Sequence, residues 1–428
     1  MALNQNVIAM KRLCLIGLIL IFVVSCKDDD DQIIAECETP TNLSISEITD
    51  ISAVLNWENL NDNQDVKVEY GLTGFLPGNG TIISSSESST SINGLIPNTA
   101  YEFYVQALCS VENISMESEV SSFNTDVSPV IPEFLTNLSE MNLFIGDIKD
   151  LNFSPNTFKY ELSTPLYTDY AKKQRIISLP IGTSMEYNGD GLPLFPDGAV
   201  MAKTFYYNYD ETNLDLGRKI IETRVLIRQS NLWYLGNYLW SEDQSDATLD
   251  TESHIIPINW INEFGEEMST DYEVPDSGSC FTCHQNSDNT IPIGPKLRSM
   301  NFDVNGSNQL LTFISDGHLN DATNPIIIGE LPDWEDTSYS EQDRTKAYFD
   351  MNCAHCHSPG GYYNTNYTGT MDLRFETSFE DSQIFEKRVS ILTRFSTSIP
   401  GYSMPFIGVS MPHQEAIDMI IPYLESLE

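Results

Sequence analysis

Positive charge is scarce in this chain. Lysine and arginine number 22 against 62 aspartates and glutamates, a formal net charge of −40. A surface this acidic repels phosphate backbones, which excludes nucleic acid as a partner. Long apolar runs are lacking too. The run from Leu13 to Val24 falls short of the roughly 20 residues that a spanning helix needs. Cysteine and histidine are rare, at 8 and 6 in 428 residues. What is plentiful excludes general disorder: 41% of residues are hydrophobic and 11% aromatic, enough to build two or three domains.

The rare residues are concentrated. Cys280-Phe-Thr-Cys283-His284 and Cys353-Ala-His-Cys356-His357 both read Cys-x-x-Cys-His, the attachment pattern of c-type haem. Two thiols one helical turn apart form thioethers to the porphyrin, and the next residue puts an imidazole under the iron. With so few cysteines and histidines, one such pattern arises by chance in about 0.002 chains of this composition, before a second is required. A zinc ribbon wants its cysteine pairs roughly 15–20 residues apart, whereas the first cysteines here are 73 apart. A thioredoxin-like thiol pair needs no following histidine. The sequence therefore predicts two covalently bound haem c groups, with His284 and His357 as proximal iron ligands.

Lys11-Arg12 precede the apolar run, as in a secretory signal peptide. Val23-Val24-Ser25-Cys26 resembles a bacterial lipobox, which implies a signal segment over 1–26 and lipidation of Cys26. Lys27-Asp28-Asp29-Asp30-Asp31 opens an acidic tether, 27–36, and is similar to the surface-export signal of some Gram-negative lipoproteins. The resemblance implies an outer-membrane lipoprotein exposed at the cell surface, with the periplasmic face as the alternative. Lipid would then hold the protein to the membrane. Cys14 lies in the leader, Cys26 takes lipid and four cysteines serve the haems. Cys37 and Cys109 remain, and in an oxidising compartment they are expected to pair.

Residues 37–126 read as short alternating strands between polar turns. Leu95-Ile-Pro97-Asn-Thr99-Ala-Tyr101 resembles the tyrosine corner of a fibronectin type III sandwich. Trp57 stands where that family keeps its core tryptophan. The resemblance implies a spacer or adhesion module in which Cys37, at the start of the first strand, reaches Cys109. A proline-containing linker, Val127 to Pro132, follows. Residues 133–275 again read as strands, predicting a β-sandwich or β-barrel that backs onto the haem region, with Trp233 and Trp240 in its core. Residues 276–428 are expected to form a mainly α, cytochrome-c-like region. In it a helix capped by Ser340 runs into Cys353. A closing helix from Pro412 to Leu427, kinked at Pro422, gathers Ile417, Ile420, Ile421 and Leu424 on one face.

The remaining axial chemistry is less sharply written. Ile293-Gly294-Pro295-Lys296-Leu297 resembles the Gly-Pro-x-Leu segment of small cytochromes c, which implies that the Pro295 carbonyl accepts the His284 ring proton. Met404, just before Pro405, is the candidate sixth ligand at the second haem, ahead of Met411 and His413. For the first haem the candidates are His318, Met300, a distant residue such as His254, or an open site. His355 is expected to face away from the iron. Arg388 or Arg394 is a candidate for haem propionates, weighed against a solvated helix face.

Residues from about 150 to 428 resemble a family of bacterial di-haem c-type cytochromes. The matching stretches include Pro165-Leu-Tyr-Thr-Asp-Tyr170, Phe195-Pro-Asp-Gly198, Lys203-Thr-Phe205, Ile221-Glu-Thr-Arg224, Pro292-Ile-Gly-Pro-Lys296 and the run from Arg344 to His357. The resemblance implies electron transfer to a redox partner protein or an extracellular acceptor, and the acidity suits a cationic partner. The alternative is a di-haem peroxidase or oxidase with one open haem. A surface-binding protein whose haems only sense or support is the third reading.

Overall fold

Ala53, Leu55 and Trp57 alternate with polar residues along Ser52–Glu58, and all three turn inward. That alternation recurs through the N-terminal unit of a computed structural model describing residues 37–61, 65–126, 132–155, 157–322, 324–397 and 399–427. The signal segment, Cys26, the acidic tether and most of the proline-containing linker lie outside the described residues. The chain divides into two compact units, 1–128 and 129–428.

In the first unit two antiparallel sheets enclose one core. Thr41–Ser46, Ser52–Glu58 and Ser89–Asn93 form one sheet. The other runs Thr81–Ser85, Asp65–Leu72, Ala100–Ser110 and Asn113–Ile114, with Ser121–Asn124 also on Ala100–Ser110. Leu55, Trp57, Val66, Val68 and Phe103 fill the space between them. The Tyr101 hydroxyl accepts the Ile96 N–H at 3.0 Å, closing the expected tyrosine corner. Cys37 and Cys109 are disulfide-bonded, with Cα atoms 5.8 Å apart. Glu69 is fully buried yet satisfied: it accepts from the N–H groups of Gly78 and Gly80, from the Tyr104 hydroxyl and from Lys67.

The second unit is built on a six-stranded antiparallel sheet. Its order is Ala247–Asp250, Leu232–Trp240, Arg218–Gln229, Val200–Asn208, Lys172–Ser178 and Thr157–Lys159. It is an open sheet with short edge strands, not the expected sandwich or barrel. Both faces are covered, and apolar residues from both sides of its strands are buried. Val200, Ala202, Val225, Tyr238 and Trp240 pack under the segment carrying Leu138 and Leu151. On the opposite face Ile177, Met201 and Leu226 pack against Leu297, Met300 and Met351. A separate hairpin, His254–Ile261 with Glu267–Val274, adds Trp260 and Tyr272 to Phe205 and Tyr207. These shared cores cross residue 275, so the strand-rich and motif-bearing stretches belong to one unit.

From 276 onward the chain departs from the mainly α expectation. The described residues are β-rich and only 19% helical. Short helices here alternate with long turns and two-residue β-pairs, because Gly, Pro and Asn interrupt the apolar periodicity. The two expected long helices are present. Glu341–Asn352 starts at Ser340, whose hydroxyl accepts the Asp343 N–H. Gln414–Ser426 includes Pro422 and packs Ile420 and Leu424 against Phe349, Ile384 and Phe395.

Candidate functional site

The first motif is set by a cap. Asp276 accepts the Ser279 N–H at 2.9 Å and its hydroxyl at 3.0 Å, starting a turn that continues as the helix Cys280–His284. That single turn puts Cys280 and Cys283 on one side. The His284 ring is buried, and its Nδ1 lies 2.7 Å from the Ile291 carbonyl. A carbonyl only accepts, so Nδ1 carries the proton and Nε2 offers a lone pair. Burial pushes the imidazole down to about 4, which keeps it neutral.

The carbonyl at that ring belongs to Ile291, and the expected Pro295 does not supply it. Gln285–Asn286 pairs with Asn289–Thr290, folding the chain back so that the Ile291 N–H also donates to the His284 carbonyl at 2.9 Å. This tight return brings Ile291 to the ring before the chain reaches Pro295.

The second motif follows the end of Glu341–Asn352. Its turns are closed by the Cys356 and His357 N–H groups, which both donate to the Cys353 carbonyl. The His357 Nδ1 is buried without a hydrogen-bond partner among the described residues, and the ring lies 4.5 Å from that of Tyr363. Burial pushes His357 down to about 4 and the Cys353 thiol up to about 12.

Each motif opens on a cleft of about 930 Å³. The second cleft brings Cys353, Cys356 and His357 together with Tyr363, Arg394 and Met404. The first brings Cys280, Cys283 and His284 against the sheet, where Lys203, Arg224 and Asn237 form its wall. Cys283, Asn352, His355, Pro405 and Ile407 line both. The motifs therefore touch. The Cys356 thiol donates to the Thr282 carbonyl at 3.4 Å, and the ligand atoms of Cys283, His355 and Cys356 lie within 4.8 Å of one another. The hydrogen bond from Cys356 draws the Cys283 thiol down and drives that of Cys356 up.

The other ligand candidates are placed elsewhere. Met300 is fully buried in the core beneath the sheet. His318 stacks on Phe158 at 4.0 Å, and His254 pairs with Asp250 at 3.1 Å. None of the three lines the first cleft, which among the described residues holds no methionine and no histidine besides His284 and His355. Met411 packs beside Trp260 and Tyr272. His413 stacks on Tyr167 at 4.1 Å and shares a hydrogen bond with the Tyr348 hydroxyl at 3.0 Å. Of the propionate candidates, Arg394 lines the second cleft, while Arg388 lies over Phe385 at 4.0 Å.

Lys203 and Arg224 were missed as site residues although their stretches stood out. Strand register sets Arg175, Lys203, Arg224 and Asn237 in one row across four strands. The row shares a face with Met201 and Phe205, and the lysine between those two apolar residues of one strand is the sign that could have found it. Arg224 pairs with buried Glu222 at 2.5 Å. Lys203 has no carboxylate within ion-pairing distance among the described residues; burial, with Arg224 and Arg175 close by, pushes it down to about 7.

The donor sets suit covalently attached haem. Each offers two thiols one turn apart, an adjacent neutral imidazole and a largely apolar cleft, and the orphaned His357 Nδ1 belongs to the same set.

The comparisons with known proteins bear on the first unit. The model of the fibronectin type III domain matches residues 38–124. Among solved structures, the chain is similar to the fn3 domain of human contactin 1, at 19% identity and TM-score 0.21, covering 23% of this chain and 84% of that one. It is also similar to a domain of human fibronectin type III domain containing protein 3, at 17% identity and TM-score 0.19, covering 22% and 90%. No curated protein matches the chain. Two facing sheets, a tyrosine corner and the family match agree: residues 38–124 form a fibronectin type III domain.

Proposed function

We propose that the second unit is a di-haem c-type cytochrome that transfers electrons at the cell envelope, tethered through lipid on Cys26. The observation that carries this reading is the meeting of two Cys-x-x-Cys-His motifs at adjoining clefts, each with a buried neutral histidine. Haem iron, when bound, supplies reversible one-electron chemistry. The residues supply the rest. Cys280 and Cys283, and Cys353 and Cys356, would hold the two groups. His284 Nε2 and His357 would ligate the iron, and Met404, which lines the cleft of His357, would ligate at the second. The Ile291 carbonyl fixes the His284 tautomer, and Lys203 and Arg224 set donors against the first, Lys203 being fully charged only below about pH 7. The partner would be a redox protein or an extracellular acceptor. Surface exposure is the preferred location, with the periplasmic face as the alternative.

The experiment is expression with a cytochrome c maturation system, followed by intact mass and a pyridine haemochrome spectrum. Two haems per chain are expected. A purified protein carrying zinc and no porphyrin would overturn the reading and favour a metal site at Cys283, His355 and Cys356.

A second reading, a haem peroxidase or oxidase, is favoured by the missing methionine at the first cleft. It predicts a high-spin ferric signal from one haem and turnover of hydrogen peroxide. Two low-spin signals without turnover would leave the carrier.

A further inference from the structure

Pro165-Leu-Tyr-Thr-Asp-Tyr170 belongs to neither motif, yet it is bonded to both arms of the second cleft. At one end the Tyr167 N–H donates to the Asn352 Oδ1 at 2.7 Å, and Asn352 immediately precedes Cys353. The Asn352 amide donates in turn to the Tyr348 carbonyl at 3.0 Å, so its oxygen is committed to Tyr167. At the other end Asp169, 1% exposed, turns its carboxylate on the loop that follows Met404. It accepts the Ser410 N–H at 2.9 and 3.0 Å, the Met411 N–H at 3.1 Å and the Ser410 hydroxyl at 2.8 Å.

Asp169 is itself held. Its backbone sits at φ 45°, in the left-handed region that a non-glycine residue adopts only when its surroundings impose it. The Tyr207 hydroxyl, from the sheet, donates to its carbonyl at 2.6 Å. The Tyr167 hydroxyl reaches the Pro412 carbonyl at 3.3 Å. On the near side of Met404, its own N–H donates to the Arg394 carbonyl at 2.9 Å. The loop that carries Met404 is thus pinned at both ends, by the helix Ile384–Phe395 and by Asp169.

We infer that Pro165–Tyr170 is a positioning clamp: it ties the loop of Met404 to the residue preceding Cys353, and so fixes the sulfur relative to the attachment turn. The inference rests on the two-haem reading. A buried carboxylate accepting from three donors of one loop is stronger than packing requires, since charge-assisted bonds in a desolvated site are the costly ones to break. A weak iron–thioether bond needs such help, because a sulfur on a free loop samples many positions and is bound only for a fraction of the time.

The test uses the full-length, haem-loaded protein and its Asp169→Asn, Met404→Ala and Ser410→Ala variants. Intact mass counts haems, the near-red thioether-to-ferric-iron band reports the sulfur, and potentiometry resolves the two midpoints. Asp169→Asn should keep both haems, lose the band severalfold and lower one midpoint. Met404→Ala should abolish the band and lower the same midpoint. Ser410→Ala, which removes one donor of three, should retain most of the band. If Asp169→Asn fails to load haem, Tyr207→Phe carries the test, with a smaller fall in the same band. An unchanged band in a fully loaded Asp169→Asn protein would overturn the clamp, as would a shift in the midpoint that Met404→Ala leaves alone. A wild-type protein with two haems and no thioether band would also overturn it. A wild-type protein without porphyrin would instead sink the underlying reading.

Discussion

Single side chains decide the electrostatics of the two clefts. His284 is neutral and its Nδ1 proton is donated to the Ile291 carbonyl, so Nε2 is ready to ligate without first losing a proton. Among the described residues Lys203 has no carboxylate partner on the wall of the same cleft, and it carries its charge only below about pH 7. On the two-haem reading, positive charge near iron in a poorly screened site favours the reduced state, which carries one charge fewer. Lys203→Gln should therefore lower one midpoint potential below about pH 7 and change it little well above, and Lys203→Arg should hold the higher value across that range, both read by potentiometric titration. Glu69 makes the corresponding case in the fibronectin type III domain. Burial pushes its carboxyl up, but the bonds from Tyr104, Gly80, Gly78 and Lys67 outweigh it and hold it below the ordinary glutamate range. A carboxyl lowered on folding stabilises above its unfolded pKa and loses that contribution as pH falls through the folded value. Amide protection factors along Ala100–Ser110, corrected for the intrinsic pH dependence of exchange, should accordingly fall as pH drops below about 4.5, and Glu69→Gln should remove most of that dependence. The same change should cost about 1–3 kcal/mol at neutral pH, because it weakens a buried, charge-assisted network.

At the scale of elements, termini and cross-links carry the stability. Ser340 caps Glu341–Asn352, and the Ser340→Ala change should cost about 1 kcal/mol, read as a lower urea midpoint for the second unit. The Cys37–Cys109 bridge closes a separation of 72 residues. Chain-entropy arguments value a loop of that size at roughly 4 kcal/mol. The double serine variant should then unfold the first unit at a markedly lower urea concentration, with the second unit unaffected. Elements with local signatures were legible in the sequence. Leu95 to Tyr101 spelled the corner, the two cysteines matched by elimination, and Ser340 marked its helix. The strand-rich character of residues 133–275 was legible, because β-branched and aromatic runs need no distant information. The arrangement of the strands was not. An open sheet covered on both faces and a closed barrel give the same local pattern, so topology had to come from which segments cover which face. The Ile291 contact was hidden for a related reason. It depends on a seven-residue return after His284, and the resemblance at Gly294-Pro295 described a loop that this chain closes sooner. Lys203, Arg224 and Asp169 became site residues only through register and contacts spanning up to 242 positions.

Across the whole molecule the charge of −40 sets how it meets others. A field of one sign attracts cationic proteins over about a Debye length, near 10 Å at 0.1 M salt. Electron exchange with a basic cytochrome used as probe should therefore slow severalfold between low and physiological ionic strength. Exchange with an uncharged mediator should stay constant. Stopped-flow absorbance at both salt concentrations checks this, and equal salt responses would count against an acidic docking surface.

Asp169 meets its partners only after 241 further residues have been made. A chain that crosses a membrane from its N-terminus finishes the sheet first, then delivers Cys280 and Cys283, then Cys353 and Cys356. Ser410 comes later in the chain than all four of those cysteines. On the proposed reading the bolt on the second chamber is thrown after both thiol pairs have come out, which leaves an assembly enzyme an open door until then. Moving the bolt earlier, by circular permutation, would shut that door on an empty room.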